Sequence, residues 1–199
     1  MITYNLFPTA VGKFNLGRDF TEKELKFIKD QATRSNMGNT TSVDNIIFEC
    51  KELKALSKFC HESVNAYLKE IYAPKHEVEL RFTQSWANYT EPGQYHHKHE
   101  HPNSFVSGVL YINADTAKDK IYFYKNGYQQ IKLPTSNFNL YNSDSWWFEV
   151  GTGDLLLFPS SLTHMVETVQ SDQTRISISF NTFPKGYIGE DLDLTGLHL

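Results

Sequence analysis

Four of the eight histidines fall within the stretch "HHKHEH" at 96–101, directly ahead of the apolar run "PNSFVSGVLYI". Imidazole is the commonest side-chain ligand for a transition metal and the usual proton carrier near neutral pH. On extended backbone, residues two apart share a side, so His99 and His101 can both aim at one ion while Lys98 and Glu100 point away. His97 has the same parity and His96 does not. A third ligand must come from elsewhere in the chain. His61 sits in a helical pattern, His76 in the connection after it and His198 at the terminus, where packing or surface roles suit them. His164 remains, in "GDLLLFPSSLTHMVETV", a strand, a proline turn and a second strand. Beyond it comes "RISISFN", in which Arg175 and Ser177 share one face of an alternating strand and Ile176, Ile178 and Phe180 the other. A buried guanidinium beside a hydroxyl makes a fork for a carboxylate. Taken separately, the histidine cluster also suits a solvated surface, and the Arg175 strand a solvated sheet edge.

The elements that must carry these groups are legible as a change of period. "TEKELKFIKDQATRSN" opens with Thr21 and Glu24 in capping-box spacing and carries Leu25 and Ile28 as an apolar stripe, which predicts a helix near 21–35. A second helix is expected over 51–71, where Leu53, Leu56, Phe59, Cys60, Val64, Tyr67, Leu68 and Ile71 recur at steps of three and four. From about residue 78 the pattern alternates. Strands are expected in "VELRFTQSWANY", "FVSGVLYINA", "KIYFYKN", "SWWFEV", "DLLLFP", "THMVETV" and "TRISISFNTF", set apart by Gly, Pro, Asn and Asp. Helices followed by many short strands indicate an α+β fold, a β-sandwich or jelly roll backed by helices. "SNMGNTTSVDN" and the stretch 127–145 read as long loops, which form lids or substrate contacts or are equally well mobile surface.

A chain of 199 residues, 40% apolar and 21% charged, can bury one sizeable core and is expected to form a single domain over 1–199, helical to about 75 with the jelly roll over about 76–185. A net charge of −4 without any Lys/Arg block argues against a nucleic-acid surface. Two cysteines, Cys50 and Cys60, are too few for a disulfide framework and suit a reducing compartment. The opening "MITYNLFPTAVGKFNL" lacks the charged head and continuous apolar core of a secretory signal, and no run is long enough for a membrane span, so a cytoplasmic protein without a membrane partner is expected.

The order Tyr89, Gly93, Tyr95, His99-x-His101, Tyr111, Gly153, His164, Arg175-x-Ser177 resembles the Fe(II)/2-oxoglutarate-dependent dioxygenases, most closely the prolyl-4-hydroxylase-like branch. "NLFPTAVGKF", "HPNSFVSGVLYI" and "GDLLLFPSSLTH...RISISFN" extend the resemblance over nearly the whole chain, to small oxygenases of this kind in marine phages and bacteria. The resemblance implies a double-stranded β-helix, the jelly roll of cupins. It also implies a facial metal triad of His99, His101 and His164 for Fe(II), with Arg175, Ser177, Tyr111 and Tyr89 binding the tail carboxylate of the co-substrate 2-oxoglutarate. The implied activity is hydroxylation with dioxygen, releasing succinate and carbon dioxide; the implied substrate is a prolyl or other peptidyl residue of a peptide or protein. Trp86, Trp146 and Trp147 are candidates for lining a peptide groove, and equally for core packing. The family pattern has an acid where this chain has His101, so the triad is three imidazoles unless Glu100 swings in. The change leaves metal identity open, since imidazole suits iron, zinc, copper and nickel, and it removes a negative charge that would repel an anionic co-substrate. Three-histidine metal hydrolases, cupin-type dioxygenases without 2-oxoglutarate, and a non-catalytic virion-associated binding module are the competing classes.

Overall fold

The computed structural model describes residues 1–127, 131 and 133–199. Helix α1 (Glu22–Lys29) begins at the expected capping box: the Thr21 hydroxyl accepts from the Glu24 N–H, and the Glu24 carboxylate accepts from the Thr21 N–H and from both terminal guanidinium nitrogens of Arg18. It stops well short of the expected residue 35. The backbone beyond Ala32 turns instead into strand β2 (Thr33–Ser35), whose hydrogen bonds go to β3 (Thr40–Ser42). Thus "SNMGNTTSVDN", read as a loop, is largely a hairpin turned through Asn36–Asn39, with Gly38 in the left-handed region at φ 88°. A hairpin this short is stable only on a larger sheet, and its Thr40 and Thr41 pair with Tyr89 and Asn88.

Helix α2 (Lys54–Tyr67) buries Leu56, Cys60, Val64 and Tyr67 on one face, as the spacing predicts. It then widens into a π turn over Leu68–Tyr72. The wider turn rotates the stripe, which is why Leu68 is buried while Ile71, expected on the same face, is exposed.

The remaining strands are β1 (Gly12–Asn15), β4 (Val78–Thr90), β5 (His96–His99), β6 (Val106–Asn113), β7 (Lys120–Tyr124), β8 (Ser145–Glu149), β9 (Asp154–Pro159), β10 (His164–Val166), β11 (Arg175–Ile188) and β12 (Leu197–His198). Two antiparallel sheets result. The larger runs β1-β9-β6-β11-β4-β3-β2, with β12 added to β11, and the smaller runs β5-β10-β7-β8. From β4 to β11 the chain passes back and forth between the two sheets, which makes a double-stranded β-helix. Strand β11 continues to Ile188, past the expected end, and includes Pro184. Pairing with β6 stops at Asn181, so no partner on that side needs the N–H that Pro184 lacks.

Alternation sorts the core into two layers. Val109 and Tyr111 of β6, Leu156 and Phe158 of β9, with Ile121, Phe123 and Val166, fill the space between the sheets. Leu110 and Ile112, Leu155 and Leu157, and Ile176, Ile178 and Phe180 of β11 face the helices. Strands β6 and β9 read as unbroken apolar runs because both faces are covered. Arg175 and Ser177 take the opposite parity to Ile176 and Ile178, and both are buried. Their strand is internal, flanked by β4 and β6, not a solvated edge. Among the described residues no helix is long and apolar enough to cross a membrane.

Candidate metal centre

Strand pairing brings two distant parts of the chain together. In the small sheet, His99 of β5 lies opposite His164 of β10, with ring centroids 4.4 Å apart. His101 lies two residues past the end of β5, where its N–H donates to the Ser160 carbonyl at 3.0 Å. Its ring lies 4.8 Å from that of His99 and 5.1 Å from that of His164. One ligand nitrogen from each of the three falls within 4.8 Å of the others.

The rings are prepared for a metal. Nδ1 of His99 lies 2.7 Å from the His97 carbonyl, and Nδ1 of His164 lies 2.9 Å from the Leu162 carbonyl. A carbonyl only accepts, so each Nδ1 carries the proton and each Nε2 presents its lone pair. Burial, reinforced by the neighbouring imidazoles, pulls His101 and His164 down to about 3 and lowers His99. All three are therefore neutral at pH 7, the form that binds metal. Phe158 packs against His164 with centroids 4.6 Å apart, and Trp86 of β4 stands 5.9 Å from His101. The donor set of three neutral imidazoles fits ferrous iron, as it fits other divalent ions of the first transition row.

Glu100 does not complete the set. Its carboxylate accepts a hydrogen bond from the Thr163 hydroxyl, and Lys98 stands 3.8 Å over the Tyr124 ring, so both point away as the parity predicts. His96 departs from parity. Between the pairs His164↔His99 and Val166↔His96, β5 advances three residues while β10 advances two. This bulge adds one residue to β5 and turns His96 to the side of His99, where the two rings stack at 4.8 Å and 12°.

Arg175 already holds a carboxylate. Its Nη1 donates to Oδ1 of Asp119 at 3.0 Å, and both terminal nitrogens approach the Glu167 carbonyl at 3.3–3.4 Å. The pair is buried, with 5% and 3% of the two side chains exposed. Asp119 is itself pinned, its Oδ2 accepting from the Asp115 N–H at 2.8 Å. No motif marks this aspartate in "AKDKIYF"; only the fold brings it to Arg175. Tyr111 pairs in register with Ser177, is 1% exposed, and its hydroxyl has no hydrogen-bond partner among the described residues. Burial raises its pKa, so the hydroxyl keeps its proton and is a donor without an acceptor.

Tyr89 must be withdrawn from the carboxylate-binding set. It pairs with Ile176, shares the helix-facing parity, and its hydroxyl donates to the Ile28 carbonyl of α1. The opposite parity belongs to Asn88, which donates to Ser179 at 2.9 Å.

His96, His97, His99 and His101 line a cavity of about 460 Å³ whose other walls include Trp86, Asn181 and, from the β2–β3 hairpin, Arg34 and Thr41; the buried His164 stands behind them. The hairpin is tied to β5, with Tyr95 N–H donating to the Gly38 carbonyl at 3.1 Å. In the second expected loop, residues 128–130 and 132 lie outside the described residues, and Asn139–Asn142 forms a turn. Trp146 and Trp147 stack at 5.4 Å on β8, at the opposite edge of the small sheet from β5.

The fold is thus a double-stranded β-helix in which three neutral imidazoles able to hold a metal ion converge. Residues 84–181, which contain all of β5 to β10 and most of β4, match the family described as "Putative 2OG-Fe(II) oxygenase". The fold is similar to that of a prolyl hydroxylase from Trichoplax adhaerens, solved with a peptide of the hypoxia inducible factor oxygen degradation domain (15% identity, 87% of this chain and 83% of that one, TM-score 0.60). It is also similar to HygX from Streptomyces hygroscopicus, solved with nickel and 2-oxoglutarate (12% identity, 96% and 91%, TM-score 0.59). A 2OG-Fe(II) oxygenase family oxidoreductase from Burkholderia pseudomallei has the same fold (11% identity, 79% and 74%, TM-score 0.55). A comparison with the curated proteins finds no match to this sequence. Over residues 84–181, 98 of the 199, the chain matches the 2-oxoglutarate/Fe(II) oxygenases, enzymes whose cofactors are ferrous iron, 2-oxoglutarate and dioxygen.

Proposed function

We propose that His99, His101 and His164 hold the iron of this oxygenase, that Arg175, Ser177 and Tyr111 receive the tail carboxylate of 2-oxoglutarate, and that the substrate is a prolyl or other peptidyl residue. The observation that carries the reading is the convergence of three imidazoles held neutral, two of them with Nδ1 committed to a backbone carbonyl. When bound, iron, 2-oxoglutarate and dioxygen supply an oxidant that hydroxylates a C–H bond, with release of succinate and carbon dioxide. The chain's own contribution is placement and exclusion of water. Carbonyl contacts orient His99 and His164, Phe158 keeps the His164 side apolar, and the Tyr111 hydroxyl offers a hydrogen bond that no other group of the described residues accepts. An unsatisfied buried donor costs about 1–3 kcal/mol, which an incoming carboxylate would recover.

Support for a peptide substrate comes from the cavity walled by Trp86 and the β2–β3 hairpin, and from the fold shared with a prolyl hydroxylase that binds a peptide. Free thiols at Cys50 and Cys60 suit a reducing, cytoplasmic setting for one catalytic domain spanning the chain. The test is anaerobic reconstitution with Fe(II) and titration with 2-oxoglutarate, following the metal-to-ligand charge-transfer absorption, then admission of air and assay for succinate. His99→Ala and His164→Ala should lose the band. Iron occupancy undiminished in either variant would overturn the triad, and failure of proline-containing peptides to gain an oxygen atom, while succinate forms, would overturn the prolyl substrate.

A further inference from the structure

The histidine cluster contains two metal-competent sets. His96, His97 and His99 place one ligand nitrogen each within 4.8 Å of one another, the same convergence as His99, His101 and His164. His99 belongs to both. Its Nδ1 is committed to the His97 carbonyl, so a single nitrogen, Nε2, serves either set, and one ion at a time can use it. The outer rings are close, with centroids 4.6 Å apart for His97 and His99, 4.8 Å for His96 and His99 and 5.4 Å for His96 and His97.

Strand geometry alone does not produce this arrangement, because alternation would send His96 away from His97 and His99. The bulge in β5 reverses it, at the cost of one unpaired residue in a four-residue strand. His97 is steadied from outside the strand, its Nδ1 lying 3.3 Å from the Met37 carbonyl at the tip of the β2–β3 hairpin, which again leaves Nε2 outward. The two sets also differ in access. His96, His97 and His99 are all partly exposed, whereas His164, the far member of the inner set, is 3% exposed.

We propose that His96, His97 and His99 form an outer landing position for a divalent transition-metal ion, exclusive of the inner position because both use Nε2 of His99. An ion arriving from water meets the three accessible imidazoles first. It then exchanges His96 and His97 for His101 and His164 without leaving His99. This rests on the inner triad of the proposed function only for the second half of that transfer.

The test uses the full metal-free chain and nickel, with stoichiometry by calorimetry and metal analysis. Wild type should bind one nickel per chain, not two. His101→Ala/His164→Ala should still bind one, more weakly, and adding His96→Ala and His97→Ala should abolish it. A folded His101→Ala/His164→Ala variant that binds no nickel, or a wild type that binds two ions with equal avidity, overturns the outer position. Equal affinity of wild type and His101→Ala/His164→Ala would uphold the outer position while refuting the inner triad, so the two readings fail separately. If the inner double variant does not fold, cobalt uptake followed by absorbance decides. His96→Gln/His97→Gln should load more slowly than wild type and reach the same final stoichiometry, and an unchanged loading rate overturns the proposal.

Discussion

Arg175 is half of a buried ion pair and, in the proposed function, the receptor for the 2-oxoglutarate tail, and removing it should expose both roles. The guanidinium is buried against Asp119, whose other oxygen is held by the Asp115 N–H, so neither partner can swing out to water. Breaking a buried ion pair by deleting one partner costs about 3–5 kcal/mol, because the charge left behind stays desolvated. In a domain of this size each kcal/mol moves the thermal midpoint by about 2–4 °C, so Arg175→Ala should lower it by roughly 6–20 °C. Truncating a charge-assisted contact to the 2-oxoglutarate tail costs about 2–5 kcal/mol, roughly thirty- to several-thousand-fold in affinity. The single variant confounds these losses; a double-variant cycle separates them. Asp119→Ala should destabilise like Arg175→Ala yet keep 2-oxoglutarate binding, since it frees the guanidinium. Asp119→Ala/Arg175→Ala leaves no orphaned charge and should regain much of the midpoint while binding 2-oxoglutarate as poorly as Arg175→Ala. The assay is thermal unfolding with calorimetric titration of 2-oxoglutarate in the iron-loaded proteins. A midpoint for Arg175→Ala equal to wild type would refute the buried-pair argument. Unchanged 2-oxoglutarate affinity in the double variant would remove Arg175 from the co-substrate site.

Gly108 of β6 lies opposite Phe180 of β11, and a methyl there would come within 2.2 Å of the Phe180 ring, so Gly108→Ala should destabilise by about 1–3 kcal/mol in denaturant unfolding, and an unchanged midpoint would mean the ring can move aside. The metal-free protein should lose stability as pH falls from about 7 towards 5. His101 and His164 titrate near 3 when folded and near 6.5 when unfolded, so in that window the unfolded chain takes up the protons, and a flat thermal midpoint from pH 7 to 5 would contradict their burial.

Local pattern was enough for much of this protein. The capping box at Thr21 and Glu24, the buried stripe of α2, the strand "DLLLFP" as β9, and the spacing of His99, His101, His164 and Arg175-x-Ser177 could all be read from the chain, because each depends on neighbours a few residues away or on a family pattern. What could not be read depends on partners far along the chain. The segment 33–35 looks helical until β3, itself held on the edge of β4, offers it hydrogen bonds. Tyr89 has a phenol in a strand beside the site, but which side of a strand faces the barrel is set by its sheet partners, and its register with Ile176 sends it to α1. Asp119 carries no signal of its own until the fold delivers it to Arg175. His96 has the wrong parity in sequence and joins the cluster only through a bulge, a one-residue mismatch between two strands that alternation within either one cannot reveal.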